Sequence, residues 1–177
     1  QRPFGNGELF PAGELREPID QVHRADFVFI TRYSGSSYPP GISEQLIKDL
    51  PIIKSTLRLD SLLNLSDGET VDIKKLQDQP IAAFSGIANP NDFRRLLEQS
   101  GARVVFYHPF PDHHEYNLSD LKHIEDSALK SGAKIILTTE KDAVKIKPNS
   151  ISLPFYKVAL EMEILEGREV FNQQILN

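Results

Sequence analysis

The feature that most constrains this fold is a regular succession of strand and helix patterns between residues 80 and 137. Short apolar runs at residues 81–84, 104–107 and 134–137 alternate with helical patterns at residues 91–99 and 119–130. Strand, helix, strand, helix and strand, in this order, imply right-handed crossovers and a parallel sheet. The sequence therefore predicts an α/β domain in this part of the chain.

Weaker strand patterns flank this domain. Residues 27–31 form a short apolar run that is typical of a buried parallel strand. Residues 55–65 and 70–73 are separated by Asp67-Gly68, a hairpin signal, and together they predict a two-stranded ribbon. Residues 156–165 alternate between apolar and polar side chains, which predicts an additional edge strand.

Composition excludes several classes of protein. With 40% hydrophobic and 25% charged residues in 177, the chain can bury a core. A net charge of -5 argues against nucleic-acid binding driven by bulk charge, so no nucleic-acid partner is expected. The absence of cysteine excludes disulfides and thiolate chemistry. No apolar run approaches membrane-spanning length, so the chain by itself is predicted to be soluble.

Polar clusters follow three of the predicted strands, at residues 85–90, 112–114 and 138–142. Ligands of open α/β sheets gather at the carboxyl ends of the strands. Asp112, next to His113 and His114, has the chemistry for proton transfer, metal ligation or phosphate contact. Each cluster also has a simpler interpretation: a capped turn at residues 85–90, a surface histidine pair at 112–114 and a solvated charge cluster at 138–142. Their convergence favours an active-site edge.

Two standard nucleotide motifs are absent from the sequence. It contains neither a G-x-x-x-x-G-K-[ST] phosphate loop nor a G-x-G-x-x-G after a strand. A dedicated transition-metal site is only weakly supported, because no second cluster of His, Asp and Glu occurs at ligand spacing. The opening residues are rich in glycine and proline and read as an ordered loop that leaves an earlier strand. We therefore expect that an N-terminal portion precedes them.

Five motifs together resemble the tetraacyldisaccharide 4'-kinases, the lipid A 4'-kinases of Gram-negative bacteria. The motifs are Arg2-Pro3-Phe4-Gly5-Asn6-Gly7, Leu15-Arg16-Glu17-Pro18, Gly86-Ile87-Ala88-Asn89-Pro90, Phe110-Pro111-Asp112-His113-His114 and Thr139-Glu140-Lys141-Asp142-Ala143-Val144-Lys145. Their order and spacing match over nearly the whole chain. One departure is Ala88, where the family usually has glycine, and its methyl group disfavours a very close backbone approach to a ligand.

The resemblance implies transfer of the ATP γ-phosphate to the 4'-hydroxyl of a tetraacyldisaccharide 1-phosphate, with Mg²⁺, at the cytoplasmic face of the inner membrane. The family's fold is a P-loop nucleotide domain joined by a two-stranded ribbon to a smaller α/β domain. The expected divisions are thus a remnant of the kinase domain at residues 1–50, a ribbon or hinge at 51–79 and a parallel-sheet, Rossmann-like C-terminal domain at 80–177. The membrane contact and the Walker A loop would lie upstream of Gln1, so the chain itself is expected to be inactive.

The resemblance also implies roles for individual residues. His113 matches the histidine that orients the family's catalytic aspartate, and Asp112 is its neighbour in the motif. Glu17 matches an acidic residue near the magnesium and the nucleotide phosphates, which makes it the predicted metal ligand. Four residues are predicted to serve cofactor binding: Glu17, Asn6, Lys141 and Asp142.

Two other functions remain open at this point. Asp-His-His also names a superfamily of metal-dependent phosphoesterases, although the aspartate-rich motif and the glycine-rich loop of that superfamily are not found. The second alternative is a non-catalytic α/β module that binds a partner or an anionic ligand.

Overall fold

The computed structural model describes residues 4–33, 35, 38, 41–147 and 151–176. Within these residues the strands are β1 (Val28–Ile30), β2 (Ile52–Asn64), β3 (Thr70–Asp72), β4 (Pro80–Ser85), β5 (Arg103–Pro109), β6 (Ile135–Thr139) and β7 (Phe155–Glu166). The α-helices are α1 (Glu44–Ile47), α2 (Pro90–Gln99), α3 (Leu118–Lys130), α4 (Glu140–Ala143) and α5 (Arg168–Ile175). Two short 3-10 helices are Ile19–Arg24 and Ile73–Leu76.

The chain forms two compact units, described separately below. The first unit contains Gln1–Leu57 and Met162–Asn177, and the second contains Arg58–Glu161. The long strands β2 and β7 contribute residues to both units. These boundaries differ from the segments expected from the sequence, because the last residues of the chain group with the N-terminal ones. The predicted hinge role of the ribbon stays a prediction.

The second unit is built on a mostly parallel sheet with the strand order β2-β7-β6-β4-β5. Strand β4 lies between β5 and β6 and is parallel to both, and β7 is parallel to β6. The α/β prediction is therefore confirmed. Strand β7 is not the edge strand that its alternating pattern suggested, since it lies between β6 and β2. Its alternating sequence therefore does not mark a free edge of the sheet.

The predicted ribbon is confirmed as β2 and β3, which pair antiparallel with Leu62 opposite Val71. Gly68 lies in the connecting turn with φ of +77°, a conformation that glycine adopts without steric cost. Beyond the hairpin, the Leu65 amide donates to the carbonyl of Phe155 at the start of β7. The ribbon is thus joined to the sheet of this unit.

Apolar side chains fill both faces of this sheet because neighbouring residues of a strand point to opposite sides. In β4, Ile81 and Ala83 face one core cluster, whereas Ala82 and Phe84 face the other. Helix α2 covers the first face with Phe93 and Leu97, which are buried. Helix α3 covers the second face with three buried residues, Leu121, Ile124 and Ala128. The result is a three-layer α/β arrangement.

The first unit contains the strand pairing that the sequence left open. Strand β1 pairs in parallel with the first residues of β2, with Val28 opposite Ile52. Phe29 of β1 packs edge-on against Phe171 of α5, with ring centroids 5.9 Å apart. Helix α5 was not predicted. It begins after Gly167, which has φ of +76°.

Candidate functional site

The three polar clusters meet at the carboxyl ends of β4, β5 and β6 in the second unit. Strands β4 and β6 are neighbours, but the chain moves from β4 towards β5 and from β6 towards β7, in opposite directions. Their carboxyl ends therefore border a topological switch point, the place where open α/β sheets bind ligands. The loop after β5 reaches the same place, because the His113 amide donates to the Gly86 carbonyl at 3.2 Å.

Asp112 and Lys141 form an ion pair at this edge. Lys141 Nζ donates to Asp112 Oδ1 at 2.8 Å, and the His113 backbone amide donates to the same oxygen at 3.0 Å. The hydrogen bond from Lys141 holds the pKa of Asp112 below its usual range, with the charge of His113 as a smaller contribution. Asp112 is therefore an ionised carboxylate at neutral pH.

His113 is the most exposed group of the cluster, with 75% of its side chain accessible. Its backbone has φ of +62°, in the left-handed region that non-glycine residues seldom occupy. Its imidazole Nε2 lies 3.9 Å from Asp112 Oδ2. An accessible imidazole next to a carboxylate, presented by a backbone in a rare conformation, is an arrangement found at functional sites.

His114 is directed elsewhere. Its ring stacks on Phe110 with centroids 4.5 Å apart, and its Nε2 lies 3.0 Å from Asp120 Oδ2. The amide of Asn117 also donates to the Asp120 carboxylate, and this bond, followed by the contact with His114, lowers the pKa of Asp120. His114 therefore anchors the loop to the start of α3.

Asp142 is fully buried at the start of α4. Its Oδ2 accepts hydrogen bonds from the Gly86 amide at 3.0 Å and from Thr139 Oγ1 at 2.6 Å. Its other oxygen, Oδ1, and the hydroxyl of Tyr116 are both buried without a hydrogen-bond partner among the described residues. Burial, with the nearby charge of Asp142, raises the pKa of the Tyr116 hydroxyl, so this group stays neutral.

The remaining predicted residues, Asn6 and Glu17, belong to the first unit. The Asn6 side chain closes a local turn, since its Oδ1 accepts from the Glu8 amide and its Nδ2 donates to the Ala12 carbonyl. Arg2 and Pro3, which begin this motif, lie outside the described residues. Loop residues form a surface pocket here: Gly5, Asn6, Pro11, Ala12, Gly13 and Glu14.

The predicted metal ligand Glu17 is largely exposed, and its Oε2 accepts from Arg24 Nη1 at 3.3 Å. In the part of the chain that the structure describes, no group of three or more His, Asp or Glu side chains is arranged to hold a metal ion. Mg²⁺, however, is often bound through one or two carboxylates together with substrate phosphates and water. Glu17 fits that partial role only.

Two residues of the site were missed by sequence reasoning. Tyr116 carries no local signal, because only the fold brings its hydroxyl to Gly86. Lys145 was within a quoted motif but was given no role, and its Nζ donates to the His114 carbonyl at 2.9 Å. The spacing of Lys141 and Lys145 by four residues could have indicated that both face one side of the segment.

Comparisons with known proteins identify the family. The model of the family described as tetraacyldisaccharide-1-P 4'-kinase matches residues 1–177. A tetraacyldisaccharide 4'-kinase of Syntrophus aciditrophicus is 37% identical over 175 residues, covering 92% of this chain and 47% of the relative. The corresponding protein of Geobacter sulfurreducens is 35% identical over 166 residues, covering 93% and 45%.

A solved structure has the same fold. The crystal structure of LpxK from Aquifex aeolicus, described as an "apo" form in complex with ATP, matches with a TM-score of 0.61 and 27% identity. The match covers 97% of this chain and 48% of that protein. The chain therefore spans about half the length of the relatives that it matches. Because the family model matches from the first residue to the last, this chain belongs to the tetraacyldisaccharide-1-P 4'-kinase family.

Proposed function

We propose that this chain is the C-terminal part of a kinase that transfers the γ-phosphate of ATP to the 4'-hydroxyl of a tetraacyldisaccharide 1-phosphate, a step of lipid A biosynthesis. The observation that carries the proposal is the family match over residues 1–177. The relatives named as this kinase support it, and so does the ATP complex of the structural neighbour. Family membership favours this reaction over the phosphoesterase and over a non-catalytic module.

His113 is the proposed catalytic residue of this half of the enzyme. Phosphoryl transfer depends mainly on positioning and charge stabilisation, and the attacking hydroxyl needs a group that takes or directs its proton. The exposed imidazole of His113 is suited to that task, since its accessible ring nitrogens can donate or accept a hydrogen bond. The ionised carboxylate of Asp112, whose Oδ2 lies 3.9 Å from His113 Nε2, is placed to orient the ring.

Nucleotide-binding roles are proposed separately for residues of each unit. Asn6 and Glu17 are offered by exposed loops of the first unit, and Lys141 offers an ammonium group at the edge of the second. Bound Mg²⁺ would neutralise charge on the phosphates, and Glu17 would supply one carboxylate oxygen to it. Asp142 is buried, so we assign it a supporting role in the site without direct contact with the nucleotide.

The lipid substrate and the cytoplasmic face of the inner membrane are the proposed partners. None of the helices in the described residues is long and apolar enough to cross a membrane. The proposed location therefore depends on the nature of the lipid substrate and on the family, with the chain acting at the membrane surface.

The function is tested by assaying ATP-dependent phosphorylation of a tetraacyldisaccharide 1-phosphate. A full-length family member whose C-terminal half is replaced by residues 1–177 is expected to be active, and its His113→Ala variant to be strongly impaired. The 177-residue chain alone is expected to be inactive, because its sequence contains no phosphate loop for the triphosphate. Turnover by the chain alone, or a folded but inactive hybrid, would overturn the proposal.

A further inference from the structure

We propose that Asp142 is a positioning residue that holds the loop of His113 in its active conformation by acting through the backbone of Gly86. The catalytic consequence rests on the function proposed above, whereas the structural link does not. The link runs through two bonds on opposite sides of one glycine. The Gly86 amide donates to Asp142 Oδ2, and the Gly86 carbonyl accepts from the His113 amide.

The first argument is the cost of burying the Asp142 carboxylate. A buried charge is unfavourable unless it is paired or fully hydrogen-bonded. Asp142 has no salt bridge within the described residues, and only its Oδ2 accepts hydrogen bonds, from Gly86 and Thr139. An apolar side chain would avoid this cost. A carboxyl group buried with one unpartnered oxygen is better explained by the geometry that it imposes than by stability.

The second argument is the place that the carboxylate occupies. The switch point between β4 and β6 is where an open α/β sheet ordinarily receives a ligand. Here the Asp142 carboxylate takes up the free amide of Gly86 at the end of β4. The protein itself thereby fixes the end of β4, and the Gly86 carbonyl points to the loop after β5.

The third argument is the lack of space around Gly86. A β-carbon at this position would lie 3.0 Å from Tyr116 Oη and 3.1 Å from both Asp142 Oδ1 and the Pro111 carbonyl oxygen. These distances are shorter than ordinary van der Waals contacts. Glycine is therefore required by close packing against the loop that carries His113, and this packing transmits the position of Asp142 to that loop.

The fourth argument is that residues adjoining Asp142 hold the same loop at two further points. Lys141 Nζ binds the Asp112 carboxylate at 2.8 Å, and Lys145 Nζ binds the His114 carbonyl at 2.9 Å. Residues before and after His113 are thus fixed by side chains from one short segment. These contacts on both sides of His113 oppose relaxation of its φ of +62°.

The kinetic test uses the hybrid defined above, a full-length family member whose C-terminal half is replaced by residues 1–177. The Asp142→Asn substitution keeps the shape of the side chain and replaces its carboxyl group by an amide. We expect kcat to fall roughly 10–100-fold, because a small displacement of a reacting group has an effect of this size, with KM for ATP and lipid changed by less than about threefold. The matched control is Glu140→Gln, two residues away, whose exposed carboxylate pairs with Lys157 and which should keep wild-type kcat.

Double substitution separates positioning from a general structural effect. If Asp142 acts through His113, then adding Asp142→Asn to His113→Ala should cause little further loss of kcat, because residues that act as a unit are not additive. If the two losses multiply, or if Asp142→Asn alone keeps wild-type kcat, the proposal is overturned. If the Asp142→Asn variant does not fold, Gly86→Ala replaces it, because this substitution disturbs the same contact. Adding Gly86→Ala to His113→Ala should then cause little further loss of kcat.

Hydrogen exchange in the same protein tests the structural link without relying on activity. In Asp142→Asn, amides of residues 85–87 and 112–114 should exchange about tenfold faster, whereas Glu140→Gln should leave them unchanged. Unchanged exchange in Asp142→Asn would refute the link. A folded hybrid that contains unsubstituted residues 1–177 and lacks 4'-kinase activity would instead refute the proposed function, and the exchange result would still decide whether Asp142 positions this loop.

Discussion

The two regions that carry the motif residues are built in opposite ways. The strand-end site of the second unit rests on a buried sheet, and contacts between residues distant in sequence fix it, such as that from Gly86 to Asp142. The loop of the first unit is held by short-range bonds among exposed residues, such as those of Asn6 to Glu8 and Ala12. The comparison indicates that the strand-end site of the second unit is preorganised, whereas the loop of the first unit is shaped mainly by local turn chemistry.

The largest expected effect concerns the chemistry of the preorganised site. In a full-length family member, His113→Ala should lower kcat by roughly 10²–10⁴, the range for acid-base or orienting groups, and leave nucleotide affinity nearly unchanged. His114→Ala should lower kcat less, because the His114 ring stacks on Phe110 and its Nε2 contacts the Asp120 carboxylate. Steady-state kinetics with separate ATP and lipid titrations measure both. Equal losses for the two variants would contradict the assignment.

A substitution in the core beneath the site should strongly reduce stability. Phe84 is fully buried and packs against the rings of Phe110, Tyr116 and Phe155. Phe84→Ala should therefore lower the free energy of unfolding by about 3–5 kcal/mol. Phe10 in the loop of the first unit is 79% exposed, so Phe10→Ala should change it by less than about 0.5 kcal/mol. Urea denaturation of this chain measures the free energy of unfolding of both variants. Similar decreases for Phe84→Ala and Phe10→Ala would remove the contrast between the regions.

A smaller effect is expected at the helix that anchors the loop of His113. The Asn117 side chain accepts hydrogen bonds from the amides of Ser119 and Asp120, and Asp120 returns a bond to the Asn117 amide. Loss of this capping box in Asn117→Ala should lower the free energy of unfolding by about 0.5–2 kcal/mol. The matched variant is Asn6→Ala, in an exposed turn, which should cost less. A larger loss for Asn6→Ala would show that local turns matter more than we infer.

The smallest expected effect is the pH dependence of the Asp112 ion pair. Lys141 lowers the pKa of Asp112 in the folded state, so the folded protein binds this proton less readily than the unfolded chain. The resulting stabilisation is complete above the unfolded pKa and is lost as pH falls through the folded value, below the ordinary 3.8. A titration of the Asp112 carboxyl by NMR should give a higher pKa in Lys141→Met. Since the pair is exposed, added salt should reduce the difference.

The sequence predicted the elements of the second unit well because their patterns are local. The apolar run at 81–84 and the helical pattern at 91–99 correspond to β4 and α2, with boundaries that differ by one residue. The hairpin signal Asp67-Gly68 also identified a real turn. The prediction of β7 as an edge strand was wrong because an alternating pattern records which face is polar, and contains no information about which strands lie on either side.

The amino-acid sequence by itself determined the class of the fold, the order of the strands and helices between residues 80 and 137, and the family, because periodicity and motif spacing are properties of the chain. The predictions that Asp112, His113, Lys141 and Asp142 serve the site came from the same source, as did those for Asn6 and Glu17. The tertiary structure decided that Asp142 is buried against Gly86 and that His113 is exposed while His114 is paired with Asp120. Burial and hydrogen bonding depend on strand order and on contacts across dozens of residues, which local sequence does not specify.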